Sequence, residues 1–274
     1  MQRDEGEAAA MMLDARRPVG FFTDTSLCIG CKACEVACKQ WNQLPSDGYE
    51  FTGFSYDNTR MLSATTWRHV AFVEEPGAGA PGAQHFWLML SDVCKHCSNA
   101  GCLQACPTGA IVRTEFGTVY VQQDVCNGCG YCVPACPYGV IELSPLDHQA
   151  HKCTLCYDRL KVGEEPACAK ACPTDSIQFG PLDELRDHAH RRLRDLHDRG
   201  VAAARLYGLD EGAAKGTAGE GTLGAFFLLL DEPEHYNLPA RVELPQNTVA
   251  ASSVLTALTG LLLGLGAALA FRRR

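Results

Sequence analysis

Cys126-Asn-Gly-Cys129-Gly-Tyr-Cys132-Val-Pro-Ala-Cys136-Pro137 sets four thiols at Cys-x2-Cys-x2-Cys-x3-Cys spacing, and Cys28, Cys31, Cys34 and Cys38 repeat that spacing. Two further groups, Cys94, Cys97, Cys102, Cys106 and Cys153, Cys156, Cys168, Cys172, complete sixteen cysteines with none left over. An even count also permits disulfides, so the spacing has to decide. The groups are copies of one another. Cys102-Leu-Gln-Ala-Cys-Pro-Thr-Gly-Ala-Ile111 matches Cys132-Val-Pro-Ala-Cys-Pro-Tyr-Gly-Val-Ile141, and Cys168-Ala-Lys-Ala-Cys-Pro-Thr-Asp-Ser-Ile177 matches both. Each unit reads as a tight Cys loop, a short helix ending at Cys-Pro, and a turn into a β-branched strand residue. That is a duplicated small module.

Three thiolates on one tight loop wrap three corners of an iron–sulfur cube, while the fourth points away and ligates a different cube. This is the bacterial ferredoxin run. Zinc is the competing metal for soft thiolates, but structural zinc pairs two Cys knuckles a dozen or more residues apart. Only Cys153-x2-Cys156-x11-Cys168 approaches that pattern, and its Cys172-Pro173 ending matches the other units; Cys38-Lys39 departs from it. Units that lend their last cysteine must work in pairs. Groups two and three are adjacent, which leaves one and four to pair across them. The predicted sets are Cys28, Cys31, Cys34 with Cys172; Cys38 with Cys153, Cys156, Cys168; Cys94, Cys97, Cys102 with Cys136; and Cys106 with Cys126, Cys129, Cys132. The fold class expected is α+β: two duplicated double-[4Fe–4S] ferredoxin-like lobes plus one C-terminal transmembrane helix. The first lobe spans 18–91 and 148–181, and the second, 92–147, is inserted into it. Four clusters in line make a wire.

A formal charge of −8 argues against nucleic acid as a partner. Four loaded clusters at roughly −2 each deepen it to roughly −16. Cations are therefore expected beside the cysteines, and Lys32, Lys39, Lys95, Lys152, Arg159, Lys161 and Lys170 supply them. No nucleotide loop, nucleophile–base pair or spare cysteine suggests catalysis. Asp158-Arg159 and a buried Trp41 read as structural.

Residues 1–17 are charged and read as a mobile segment without the apolar run of a secretory signal; polar residues follow the Arg16-Arg17 pair where an export signal needs apolar ones. Arg17–Phe22 reads as extended, Cys34–Trp41 as helix, and 42–61 as an ordered loop. Ser63–Val73 and Gln84–Leu90 read as a hairpin whose long loop holds the Gly/Pro-rich Glu74–Ala83, and Val119–Val121 as a short strand. Leu182, Leu185, Ala189, Leu193 and Leu196 stripe a surface helix over 182–206, with His188, His190 and His197 toward its polar side and no ligand role. A Gly-rich loop (210–224), an apolar strand Ala225–Leu230 and an extended arm (231–247) follow, the helix, loop and arm together making up 182–247.

Thr248–Phe271 carries no charge and ends in the basic tail Arg272-Arg273-Arg274. At about 1.5 Å per residue it reaches roughly 36 Å, enough for a roughly 30 Å hydrocarbon core. The three arginines follow the span, while Asp231, Glu232, Glu234 and Glu243 outnumber Arg241 before it. The expected protein is single-pass, with its C-terminus cytoplasmic and the cluster domain on the outer, periplasmic face. Ser253, Ala257, Gly260, Gly264 and Ala267 line up as a small face for a partner helix.

At these residues a family resemblance enters. Cys28-Ile-Gly-Cys-Lys-Ala-Cys-Glu-Val-Ala-Cys-Lys-Gln-Trp-Asn42, Cys94-Lys-His-Cys-Ser-Asn-Ala-Gly-Cys-Leu-Gln-Ala-Cys-Pro107 and Lys152-Cys-Thr-Leu-Cys-Tyr-Asp-Arg159 with Gly163-Glu-Glu-Pro-Ala-Cys168 resemble the iron–sulfur (beta) subunit of membrane-bound formate dehydrogenases. The likeness covers residues 18 to 180 and continues more loosely through Glu234-His-Tyr-Asn-Leu-Pro239 and the last helix. It implies the same four cluster sets. It also implies a place between a catalytic molybdenum- or tungsten-pterin subunit that oxidises formate and a membrane subunit, cytochrome b-type or otherwise quinone-reactive, embedded in lipid. On that reading the protein crosses as cargo of a signal-bearing partner. Equivalent subunits of membrane hydrogenases or of sulfur, sulfoxide or nitrite reductases are the alternative within the class. A membrane-tethered zinc scaffold is the alternative outside it.

Overall fold

The computed structural model describes residues 17–46, 48, 53, 56–75, 86–209, 222–240, 242 and 244–272. The expected mobile segment 1–17, apart from Arg17, lies outside the described residues. So do parts of the 42–61 loop, most of Glu74–Ala83 and of the Gly-rich 210–224 loop, and the last two residues of the basic tail.

Val19–Asp24 (β1) comes first. Arg68–Glu75 (β2) and Phe86–Val93 (β3) form an antiparallel hairpin, as do Ile111–Arg113 (β4) with Val119–Val121 (β5) and Glu142–Leu143 (β6) with Ala150–His151 (β7). Ile177–Pro181 (β8), Arg205–Tyr207 (β9) and Ala225–Leu229 (β10) gather around β1 in the order β8-β1-β10-β9. β1 runs antiparallel to β8 and parallel to β10, with Phe21 opposite both Phe179 and Ala225.

β1 is buried on both faces because successive side chains point to opposite sides. Phe22 packs with Leu185, Ala189 and Leu196 of the helix Leu182–Asp198. Phe21 packs with Val70, Leu155 and Ile177 on the cysteine side. Each such burial is worth about 1.5–3 kcal/mol over exposure. A third core, Ile111, Val119, Val121 and Ile141, lies under the second and third cysteine groups.

The short helices that follow the cysteine loops pack in pairs: Ala33–Asn42 on Ala167–Lys170, and Gly101–Ala105 on Cys132–Ala135. A Cβ on Gly101 would stand 2.4 Å from the Ala135 carbonyl oxygen, so the second contact requires glycine.

The structure corrects several expected boundaries. β2 starts at Arg68 rather than Ser63, because Ser63–Thr66 closes a turn in which the Ser63 N–H donates to Thr66 O at 3.0 Å. The helix expected over 182–206 ends at Asp198; Gly200 leaves it with φ 87°, and Arg205–Tyr207 is strand. The extended arm contains a 3-10 turn, Pro233–Tyr236. The last helix begins at Pro245, where proline suits a first helical position. Within it Ser253–Phe271 is apolar, long enough to cross a membrane, and unburied.

Candidate metal centres

In each of the four groups the residue before its second cysteine has positive φ: Gly30 66°, His96 42°, Gly128 72° and Leu155 56°. This shared turn aims main-chain N–H groups back at sulfur. Leu155 N–H donates to Cys153 Sγ at 3.3 Å, and Gly30 N–H serves Cys28 in the same way. Such concave runs of N–H groups favour anions.

Cys28, Cys31, Cys34 and Cys172 border one hollow, closed by Val70 and Ile177. Cys106, Cys126, Cys129 and Cys132 border another, beside Ile111 and Ala150. Cys38 faces Cys153, Cys168 and Cys156, and Cys97 faces Cys94, Cys136 and Cys102. Cysteines distant in sequence are thus brought together, and none of the sixteen is in a disulfide. Neighbouring quartets meet at Cys132 with Cys102, Cys94 with Cys153, and Cys168 with Cys34. They form a row. Its end quartets contain the two exposed cysteines, Cys129 and Cys31.

Burial pushes the thiols up: Cys34, Cys102 and Cys156 to about 12 and Cys132 to about 11. Burial and then neighbouring sulfurs raise Cys38, Cys97 and Cys153 as well. Cys106 moves the other way, because hydrogen bonds from Thr108 and from the backbone of Ile111 and Ala110 outweigh its slight burial. Four crowded thiols of this kind ionise together only around a polycationic core, and soft sulfur donors suit iron–sulfur clusters. Among the described residues no three Cys, His, Asp or Glu side chains close on a point suited to a single ion. The donor set fits the cluster.

Buried cations accompany the sulfurs. Lys152 is 2% exposed and donates to Val119 O at 2.5 Å and Cys153 O at 3.1 Å. Burial opposes its charge, but Cys94, Cys102 and Cys153 outweigh burial and hold its proton. Lys95, also buried, pairs with Asp92 and lies 5.2 Å from the Tyr138 and Phe227 rings. Lys32 stands at the rim of the first hollow. Lys39 turns elsewhere, donating to Pro45 O, Thr65 O and Thr66 Oγ1, and Lys161 lies over the Tyr157 ring. Trp41, expected buried, is 44% exposed; the Arg159 guanidinium covers its ring at 4.2 Å and Asp158 accepts from its Nε1 at 2.8 Å. His188 contacts Gln178 and His197 contacts Ala204 O, local roles both. Ser253, Ala257, Gly260, Gly264 and Ala267 are exposed along the last helix.

Arg68 was not anticipated. Its guanidinium is buried and donates to Cys168 Sγ at 3.4 Å. The available signal was an arginine inside the otherwise strand-like Trp67-Arg68-His69-Val70, remote in sequence from any cysteine.

Families described as 4Fe-4S dicluster domains match residues 27–110 and 85–182. The formate dehydrogenase iron–sulfur subunit of Haemophilus influenzae is 39% identical over 263 residues, which span 94% of this chain and 80% of that protein. The nitrate-inducible formate dehydrogenase iron–sulfur subunit of Escherichia coli is 40% identical over 227 residues, 82% of this chain and 73% of that one. The B subunit of the anaerobic dimethyl sulfoxide reductase of Escherichia coli is 38% identical over 167 residues, 61% and 75% of the respective lengths.

Proposed function

From the premise that this protein belongs to the family of formate dehydrogenase iron–sulfur subunits, we propose that its four cysteine quartets form one wire between a formate-oxidising subunit and a membrane subunit. It is an electron-transfer subunit, not the catalytic one, and it carries four [4Fe–4S] clusters. The clusters supply reversible one-electron chemistry. The proposed ligand sets are the four quartets, and the proposed architecture is a second ferredoxin-like lobe, 92–147, inserted into a first formed by 18–91 and 148–181. The grouping of sulfurs across distant sequence supports both, since Cys38 lies among Cys153, Cys156 and Cys168. Main-chain N–H groups and buried Lys152 and Lys95 offset thiolate charge, and the apolar cores keep water from the inner quartets.

The row carries the reading. Its end quartets hold the exposed Cys129 and Cys31, where partner subunits could exchange electrons with it. The proposed partners are a molybdenum- or tungsten-pterin formate-oxidising subunit and a cytochrome b-type or other quinone-reactive membrane subunit. The helix Pro245–Arg272 fits a membrane anchor, with the cluster domain proposed on the outer face. Anaerobic purification of the membrane complex tests the reading. About sixteen irons and sixteen labile sulfides per polypeptide, a co-purifying pterin subunit and bleaching of the visible absorption by formate are expected. A colourless zinc protein, or clusters that formate leaves oxidised, would overturn it.

A second reading, a sulfoxide-reducing partner on the same wire, is favoured by the likeness to the dimethyl sulfoxide reductase subunit. That likeness spans 61% of this chain against 94% for the formate dehydrogenase subunit, so the first reading stands ahead.

A further inference from the structure

Arg68 opens β2 and is 1% exposed. One terminal nitrogen donates to Cys168 Sγ at 3.4 Å. The other donates to Ser91 O at 3.2 Å and Ser91 Oγ at 3.3 Å, and Ser91 Oγ lies 3.3 Å from Cys34 Sγ. A continuous polar path therefore runs from Cys34 through Ser91 and Arg68 to Cys168. The Phe21 ring lies 4.7 Å from the guanidinium carbon. Arg68 has no carboxylate partner among the described residues; Glu35, close in space, is engaged by Lys32 and His69.

An unpaired buried cation carries a large desolvation penalty, and anions must offset it. Here the facing anions are thiolates of two different quartets.

We propose that Arg68 is a charge shared by two clusters, the one held by Cys34 and the one held by Cys168, and that it raises both reduction equilibria together. Reduction adds one electron to a cluster and deepens its negative charge, so a cation in contact with ligand sulfur favours the reduced form. Because Arg68 reaches both quartets, it lifts the pair relative to the other two clusters and leaves the step within the pair nearly level. Ser91, whose only cysteine contact given by the hydrogen bonds is Cys34, adjusts one of the two. The inference rests on the ligand sets proposed above.

The test is a dithionite redox titration of the membrane complex followed by electron paramagnetic resonance. Cys34→Ser and Cys168→Ser first assign the signals. If both remove the same signal, the ligand sets fail and the shared charge with them. With two distinct signals, Arg68→Gln should lower both potentials by at least a tenfold change in the reduction equilibrium, about 59 mV for one electron. The signals of the other two clusters should stay in place. Ser91→Ala should lower only the signal assigned to Cys34. If Arg68→Gln moves one signal or neither while all four clusters remain, the shared charge is overturned and the ligand sets stand. Should Arg68→Gln fail to load iron, Arg68→Lys must keep four clusters with both potentials lowered less than tenfold. Loss of clusters in the lysine variant too would mean that the shape of the guanidinium, not its charge, is what the fold needs, and would overturn the shared charge.

Discussion

Cys28 and Cys172 border the same hollow because β1 and β8 run antiparallel, with Thr23 opposite Ile177. The polypeptide leaves that end of β1 into Cys28 and enters β8 there from Cys172. Cys172→Ser should therefore perturb the centre bound by Cys28, Cys31 and Cys34, despite its distance in sequence. Low-temperature spectroscopy of the variant should show that one centre altered, as in Cys28→Ser. A change confined to the centre of Cys153, Cys156 and Cys168 would refute the pairing.

Gly128 has φ 72°, and a Cβ there would stand 2.3 Å from the His148 carbonyl oxygen. An L-residue in this conformation costs about 1–2 kcal/mol, and forcing the contact adds about 1–3 kcal/mol. Gly128→Ala should loosen the loop that carries Cys126 and Cys129, so iron content should drop toward about twelve atoms per polypeptide, three clusters' worth. Gly109→Ala, also at positive φ but with open space around it, controls for backbone strain alone. Equal iron loss in both variants would show that the His148 contact is irrelevant.

How much of this was legible follows the same loops. Gly30 and Gly128 advertise the left-handed turn, whereas His96 and Leu155 make it without glycine, held by their surroundings: Leu155 is fully buried and His96 Nδ1 accepts from Val119 N–H at 3.1 Å. Cysteine spacing made the loops readable, because the three thiols of one loop are local in sequence; the fourth thiol of each proposed set comes from a distant unit. The hairpin and the terminal helix were readable from composition. The sheet order was not, since the parallel pairing of β1 with β10 joins segments about two hundred residues apart and neither carries a register signal. Arg68 escaped for the same reason: its partners, Ser91 and Cys168, are neighbours only after folding.

His69 is buried between two carboxylates, with Nε2 2.9 Å from Asp57 and Nδ1 3.3 Å from Glu35. Burial alone would depress the imidazolium, but Asp57 and Glu35 carry its pKa up to about 9. A folded pKa above the unfolded value of about 6.5 stabilises fully below pH 6.5, and that stabilisation is lost as pH rises through about 9. The effect is on the order of 3 kcal/mol. Iron release in denaturant should accelerate from pH 6.5 to 9.5 in the parent protein and more shallowly in His69→Gln; parallel slopes would rule out this residue.

Deleting residues 248–274 should free the protein from membranes without loss of iron, because every cysteine lies at or before position 172. Membrane fractionation with iron analysis checks this. Loss of all clusters on truncation would show that the anchor and the wire fold as one.

The terminal helix should dock on a membrane partner through its small face. Ser253, Ala257, Gly260, Gly264 and Ala267 recur at alternating spacings of four and three, which keeps them on one side of a helix. Leaving out the helix's own neighbouring backbone and each glycine's chain neighbours, no atom of the described residues lies within 4 Å of a Cβ built on Gly260 or Gly264, so another backbone can approach there. Leu261, Leu262, Leu263 and Leu265 supply the apolar surface that lipid requires whether or not a partner is present. Gly260→Leu with Gly264→Leu should therefore leave insertion intact, since hydrophobicity rises, yet weaken recovery of the membrane subunit with the protein. Recovery unchanged by the double substitution would show that the small face is not the interface. The proposed orientation rests on charge: arginines follow the span at 272–274, and acids dominate the approach at 231–243. Protease added to the outer face of intact cells should cut the cluster domain and spare a C-terminal tag. Cleavage of the tag with the cluster domain protected would reverse the orientation.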